Sequence, residues 1–162
     1  MDAIDRVVMN TRLHYLGSAA RIIEPVQKLA VLTCMDARID VSGLLGLRPG
    51  DAQVIRNAGG RATDDARHAL AMAQAVTGTR EIMVIHHTDC LLGRFKQKDL
   101  AEKIAAASGH RFDEALGVFE DPIAAVVEDV GRLRLDLHLA HRDKIRGFIY
   151  DLAANTVTEV HS

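Results

Sequence analysis

The chain lacks the features by which most membrane, nucleic-acid and sugar-binding proteins are recognised. It has 162 residues with no tryptophan and 4% aromatic residues, which argues against surfaces that stack on bases or sugars. No apolar run approaches the roughly 20 residues needed to cross a bilayer. Twenty basic and 22 acidic residues give a net charge of −2, with no long block of either sign. We therefore expect neither a nucleic acid nor a membrane as partner.

Cysteine is nearly absent, since Cys34 and Cys90 are the only two. The N-terminus shows no basic and apolar leader, so a cytoplasmic location is expected. In that reducing compartment, two cysteines serve as metal ligands or reactive thiols more often than as a disulfide. Two inert buried thiols are the alternative.

The composition is that of an ordinary globular protein, with 48% hydrophobic and 26% charged residues. There is no internal repeat, low-complexity tract or flexible linker, and the length suits one folded unit. We expect a single domain over residues 1–162.

Short apolar runs alternate with helical patterns, which predicts an α/β fold with a mainly parallel central sheet. Four strands should be parallel, with helices on both faces and an antiparallel edge strand added by a terminal hairpin. Asn155 can take the positive φ that the hairpin turn requires. The predicted strands are residues 28–34, 53–56, 81–86, 145–152 and 156–160.

Four helices are predicted between and before these strands. Residues 2–23 form a loosely amphipathic N-terminal helix, and residues 93–109 hold a short one. Thr63 is the expected N-cap of a helix that Gly78 ends. Asp121 and Pro122 open the last helix, whose apolar stripe we extend to Leu137.

Metal-ligating side chains follow two of the predicted strands. Cys34 ends one strand, and His87 and Cys90 follow another. In open parallel sheets, the carboxyl ends of the strands form the ligand-binding edge. Two thiolates and one imidazole are the ligand set of a zinc site with an open fourth position. His86 competes for the ligand role, but only His87 has the x-x-Cys spacing.

Asp36 and Arg38 lie in the loop after Cys34 and can form a charge-assisted pair beside the metal. An ionised Asp36 could accept a hydrogen bond from zinc-bound hydroxide and orient it. It could instead become the fourth zinc ligand and close the site. An ordinary surface ion pair of little energetic value is the third alternative.

The motif Arg56-Asn57-Ala58-Gly59-Gly60 follows the second strand and predicts a sharp turn with exposed backbone. We expect Asn57 and Gly59 to contact the substrate. A tight turn without a binding role is the alternative. A phosphate-binding loop is disfavoured, because the glycine patterns of such loops are absent.

Taken in order, these motifs resemble the β class of carbonic anhydrases. The resemblance rests on Cys34-x-Asp36-x-Arg38, then the turn at residues 56–59, then His87-x-x-Cys90. It implies one zinc ion per subunit held by Cys34, His87 and Cys90, with Asp36 and Arg38 as a catalytic pair. It also implies a homodimer in which the N-terminal helix wraps the partner, or a tetramer formed by two such dimers.

The activity implied by the resemblance is hydration of carbon dioxide to bicarbonate by zinc-bound hydroxide. Leu91 and Leu92 follow Cys90 where the family usually has glycine. Relatives with the same ligands hydrolyse carbonyl sulfide or carbon disulfide, so that reaction is the first alternative. The second is a non-catalytic dimer that binds zinc for structure or senses redox state.

Overall fold

A central five-stranded sheet organises the chain. The structure is a computed structural model and describes residues 3–13 and 23–161. The strands, numbered along the chain, are β1 (Leu29–Cys34), β2 (Ala52–Asn57), β3 (Glu81–His87), β4 (Ile145–Asp151) and β5 (Thr156–Val160). Their spatial order is β2-β1-β3-β4-β5. Strands β1 to β4 are parallel and β5 pairs antiparallel with β4, which confirms the predicted sheet.

Helices and short 3-10 turns connect the strands. Residues 14–22 lie outside the described residues, so the predicted helix over residues 2–23 is seen only as α1. The predicted short helix before Gly109 is present as α4. The helices are α1 (Ala3–Leu13), α2 (Val41–Leu45), α3 (Asp64–Thr77), α4 (Gln97–Ser108) and α5 (Pro122–Leu135), and the 3-10 turns are Ala58–Gly60 and Leu91–Arg94.

The predicted caps of the two long helices are present. The Thr63 side chain accepts a hydrogen bond from the Ala66 amide at the start of α3, and Gly78 ends that helix with φ 67°. Asp121 caps α5 by accepting from the Ile123 amide. The prediction that Leu137 belongs to the stripe of α5 is wrong. The helix stops at Leu135 because Asp136 leaves the helical conformation with ψ 112°.

Apolar side chains from helices pack on both faces of the sheet, as predicted. On one face, Leu70 of α3 and Val126 of α5 are fully buried. On the other, Val41 of α2 packs with Ile39 and Ile85, and Leu100 of α4 borders that cluster. Whether residues 1–162 form a single domain stays a prediction.

The register brings the two candidate ligand strands to a common edge. Strand β1 lies between β2 and β3, with Cys34 opposite Asn57 and Thr33 opposite Ile85. Neighbouring strands are about 4.8 Å apart, so the ends of β1 and β3 are within reach of one ion. Within residues 3–13 and 23–161, no helix has the length and apolar character that a bilayer span requires.

Candidate metal centre

Three buried side chains converge where β1 and β3 end. The ligand atoms of Cys34, His87 and Cys90 all lie within 4.8 Å of one another. The two sulfur atoms are 3.9 Å apart. Two sulfurs bound to one tetrahedral zinc ion at bonds of about 2.3 Å are about 3.8 Å apart, so the observed spacing suits the ion. The residues between His87 and Cys90 form a tight turn, with Asp89 at φ 55°.

The His87 ring is oriented with a free nitrogen toward the sulfurs. Its Nδ1 lies 2.9 Å from the carbonyl oxygen of Thr88. Because a carbonyl only accepts, Nδ1 carries the proton and Nε2 keeps its lone pair. Within the described part of the chain, Nε2 is buried and has no hydrogen-bond partner. Such an orphaned nitrogen beside two sulfurs fits a metal ligand whose tautomer is fixed by a neighbouring carbonyl.

The competing ligand His86 points to the opposite side of β3. Its Nε2 lies 3.2 Å from the carbonyl oxygen of Gly60, away from both sulfurs. The group able to hold a metal therefore contains His87, as the spacing predicted.

The electrostatics of the pair of sulfurs favour a thiolate. A hydrogen bond from Cys90 lowers the pKa of Cys34 to about 4, and hydrogen bonds from the backbone of Asp36 and Gly59 act in the same direction. The hydrogen bond to Cys34 and burial in turn raise the pKa of Cys90. In the absence of a metal, the negative charge on one sulfur disfavours ionisation of the other. A divalent cation would remove this effect, because it binds both sulfurs as thiolates.

Asp36 and Arg38 form the charge-assisted pair that the sequence predicted, and the structure shows that it is bidentate. Arg38 Nε donates to Asp36 Oδ1 at 3.0 Å, and Nη2 donates to Oδ2 at 2.7 Å. These bonds hold the pKa of Asp36 well below its usual range. Asp36 Oδ2 also lies 3.9 Å from His87 Nε2, so the carboxylate borders the ligand set while it is bound to Arg38.

A second carboxylate, which sequence reasoning missed, holds the other side of Arg38. Nη1 of Arg38 donates to Asp89 Oδ2 at 2.9 Å, and Nη2 donates to the Asp89 carbonyl, also at 2.9 Å. Arg94 Nε donates to Asp89 Oδ1 at 3.1 Å. Arg38 is thus fixed between two acidic residues. The position of Asp89 directly before Cys90 was the available signal.

A cavity of about 440 Å³ opens beside the ligand set. Charged groups of Asp36, Arg38, Asp89 and Arg94 form one part of its lining. Apolar residues form another part, and these are Met35, Ala37, Ala58, Leu91 and Leu92. The space beside Cys34 and Cys90 is therefore lined by both apolar and charged residues.

Known proteins share both the sequence and the fold. A family model described as carbonic anhydrase matches residues 29–116. Beta-carbonic anhydrase 1 of Mycobacterium tuberculosis is 37% identical over 136 residues, which cover 84% of this chain and 83% of the relative. The chain belongs to the β-class carbonic anhydrase family.

Solved structures of β-carbonic anhydrases have the same architecture. The carbonic anhydrase of Streptococcus mutans superposes with a TM-score of 0.93 at 34% identity, over 99% of each chain. A carbon disulfide hydrolase of Saccharolobus solfataricus is 47% identical over 76 residues, which are 47% of this chain and 37% of that enzyme. An apo carbon disulfide hydrolase structure superposes with a TM-score of 0.74 at 26% identity, over 98% and 90% of the two chains.

Asn57 and Gly59, the two residues predicted to contact the substrate, have different surroundings in the turn after β2. Gly59 lines the cavity. The Asn57 side chain is engaged within the turn, where Nδ2 donates to the Arg61 carbonyl at 2.8 Å and Oδ1 accepts from the Arg61 amide at 2.9 Å. A substrate contact by Asn57 stays a prediction. Arg56 donates to the Cys34 carbonyl at 2.9 Å and ties β2 to the metal-ligand strand.

Proposed function

We propose that this chain catalyses the reversible hydration of carbon dioxide to bicarbonate, with one zinc ion per subunit. The observation that supports it most is the buried set of two sulfurs and one free imidazole nitrogen beside an open cavity. Three protein ligands leave one tetrahedral position for water or substrate. When bound, zinc lowers the pKa of water enough for it to act as a nucleophile near neutral pH.

The protein's own residues have distinct roles in this proposal. Cys34, His87 and Cys90 hold the ion. Asp36, 3.9 Å from His87 Nε2, accepts a hydrogen bond from the attacking water and orients it. Arg38 keeps Asp36 ionised and directed away from the ligand position. If the Arg38 pair breaks, Asp36 is close enough to become the fourth ligand and close the site.

The cavity wall suits a small uncharged substrate. Gly59 contributes backbone without a side chain, and Met35 and Leu92 contribute apolar surface. Carbon dioxide has no net charge, so apolar walls accommodate it without desolvating an ion. The lining also includes Arg38 and Arg94, whose guanidinium groups are the candidate contacts for the bicarbonate product.

Stopped-flow measurement of the pH change during carbon dioxide hydration tests this function. The zinc-loaded wild type should be active, and Asp36→Ala should keep its zinc while its rate falls by about 100-fold or more. Asp40→Ala is a matched control, since Asp40 is a helix cap in the same loop. An Asp36→Ala rate equal to wild type would contradict the role of the pair.

Hydrolysis of carbon disulfide or carbonyl sulfide is the second candidate, favoured by the 47% identity over 76 residues with a carbon disulfide hydrolase. The same water and ligand set would serve. Sulfide release, measured beside hydration on the same preparation, separates the two reactions. A non-catalytic zinc or redox-sensing protein would show neither activity, and its zinc would not bind small anions.

We further propose a cytoplasmic homodimer, or a tetramer built from it. Ile4 and Val7 of α1 are three residues apart on one helix face and are 73% and 62% exposed. One related structure is described as that of two tetrameric β-carbonic anhydrases from Sordaria macrospora. Light scattering on the wild type and on Ile4→Glu/Val7→Glu tests the proposal, with dissociation expected for the variant. A monomeric wild type would contradict it.

A further inference from the structure

A cluster of charged and polar side chains, Arg61, His86 and Asp129, lies on the face of the sheet opposite His87. Asp129 sits on the inner side of α5 next to Val130, and its side chain is 2% exposed. The His86 side chain is fully buried. A buried ionic cluster adds little net stability compared with apolar packing, because its members must lose their hydration. Its presence therefore calls for a role other than stabilising the core.

The cluster is held by short contacts. Asp129 Oδ2 lies 3.0 Å from His86 Nε2 and 3.0 Å from Arg61 Nε. His86 Nε2 also lies 3.2 Å from the Gly60 carbonyl oxygen. The Gly60 carbonyl is an acceptor, so Nε2 carries the proton. Within the described part of the chain, Asp129 Oδ2 accepts no hydrogen bond, and it meets His86 and Arg61 through close charge contacts. The Phe119 ring stacks on His86, with ring centres 5.6 Å apart, and covers the cluster.

The Ala58–Gly60 turn connects this cluster to the metal ligands. Its last carbonyl faces His86, and the next residue, Arg61, contacts Asp129 directly. On its other side, the backbone of Gly59 is among the groups that lower the pKa of the Cys34 thiol. The turn also packs closely on β1, since a Cβ at Gly60 would lie 2.9 Å from the Cys34 nitrogen. A shift of the turn would therefore disturb the backbone of Cys34, which carries a metal-ligating sulfur.

We propose that Arg61, His86 and Asp129 are positioning residues that hold the Ala58–Gly60 turn against Cys34 and thereby set the zinc affinity of the site. Asp129 anchors the turn at two points, through the His86 ring and through Arg61. The inference rests on the proposed function only in taking zinc as the ion that Cys34 binds. Residues around metal ligands commonly change metal affinity by about 10- to 100-fold when they are replaced.

Two substitutions of His86 test the role of its Nε2. His86→Gln keeps an N–H donor near the position of Nε2, whereas His86→Leu removes it. Zinc affinity is measured by competition with a chelator, and the thiolate-to-cobalt absorption band is recorded on cobalt-loaded protein. We expect His86→Leu to lose about 10- to 100-fold in zinc affinity and to shift the band, and His86→Gln to recover most of both. Equal losses in the two variants, or wild-type affinity in His86→Leu, would overturn the proposal.

Asp129→Asn and Asp136→Asn form a matched pair that separates positioning from general stability. Both aspartates are buried and contact an arginine, but Asp136 follows the end of α5, about 10 Å further along its axis. We expect only Asp129→Asn to weaken zinc binding, even where the metal-free proteins melt at similar temperatures. Equal zinc affinities of the two variants would overturn the proposal. A wild type that binds zinc but does not hydrate carbon dioxide would refute the proposed function and leave this comparison intact.

Discussion

Replacing Gly60 by alanine should damage the metal centre, whereas the same change at Gly109 should leave it intact. Gly60 has φ 68°, and an added Cβ would lie 2.9 Å from both the Cys34 nitrogen and the Thr33 carbonyl carbon. These are backbone atoms of a central strand, so they cannot move aside as a flexible side chain would. The change therefore combines an unfavourable backbone conformation with a steric clash against β1.

The two costs can be separated with a matched control. Gly109, which ends α4, also has positive φ, at 78°, but a Cβ there would meet no atom within 4 Å. Gly109→Ala should cost only the conformational term of about 1–2 kcal/mol. Gly60→Ala should cost a further ~1–3 kcal/mol for overpacking. It should also displace Cys34 and reduce zinc affinity, which Gly109→Ala should leave unchanged.

Urea denaturation of the metal-free proteins, followed by circular dichroism, measures the free energies of unfolding. Chelator competition measures zinc affinity on the same samples. Equal unfolding free energies for the two variants would refute the steric argument. A Gly60→Ala protein that is destabilised but binds zinc as the wild type does would refute the link between the turn and Cys34.

Two further predictions concern ion pairs. Asp89→Ala should leave the zinc content unchanged but slow hydration by about tenfold, because Arg38 loses the contact that fixes its outer side; a wild-type rate would show that Asp36 alone positions Arg38. Arg67 holds the pKa of Asp136 below its usual range. The contribution of this pair to stability is therefore complete above the unfolded-state pKa of about 3.9, and it is lost as the pH falls through the lower folded-state pKa. The difference in urea midpoint between wild type and Asp136→Asn should therefore be largest near neutral pH and shrink below about pH 4; a difference that grows in acid would contradict the assignment.

The parallel sheet and the metal ligands were predictable because both depend on local signals. Continuous apolar runs mark buried parallel strands, and polar residues directly after them mark the ligand edge. Cys34 and His87 come together only if β1 and β3 are neighbours in the sheet. The structure shows that these two strands are paired. The bidentate pair of Asp36 and Arg38 is also local, since only Ala37 separates its members.

The buried cluster of Arg61, His86 and Asp129 was not predictable, because its members are distant in the chain. Asp129 meets His86 and Arg61 only after α5 packs on β3 and beside the turn. No spacing rule relates these residues. The end of α5 was misjudged for a different reason, since Leu137 continues the apolar pattern although Asp136 ends the helix. The spacing of apolar residues predicts which face of a helix is buried, but it does not predict the residue at which the helix ends.

The central claim is that Cys34, His87 and Cys90 hold a zinc ion that makes the chain a carbon dioxide hydratase. It is tested most directly by titrating the metal-free protein with zinc and measuring the hydration rate by stopped flow at each point. We expect a rate that rises in proportion to bound zinc and saturates at one ion per chain, and no such rise for His87→Ala. Zinc bound at one ion per chain without hydration, or a rise that survives in His87→Ala, would contradict it.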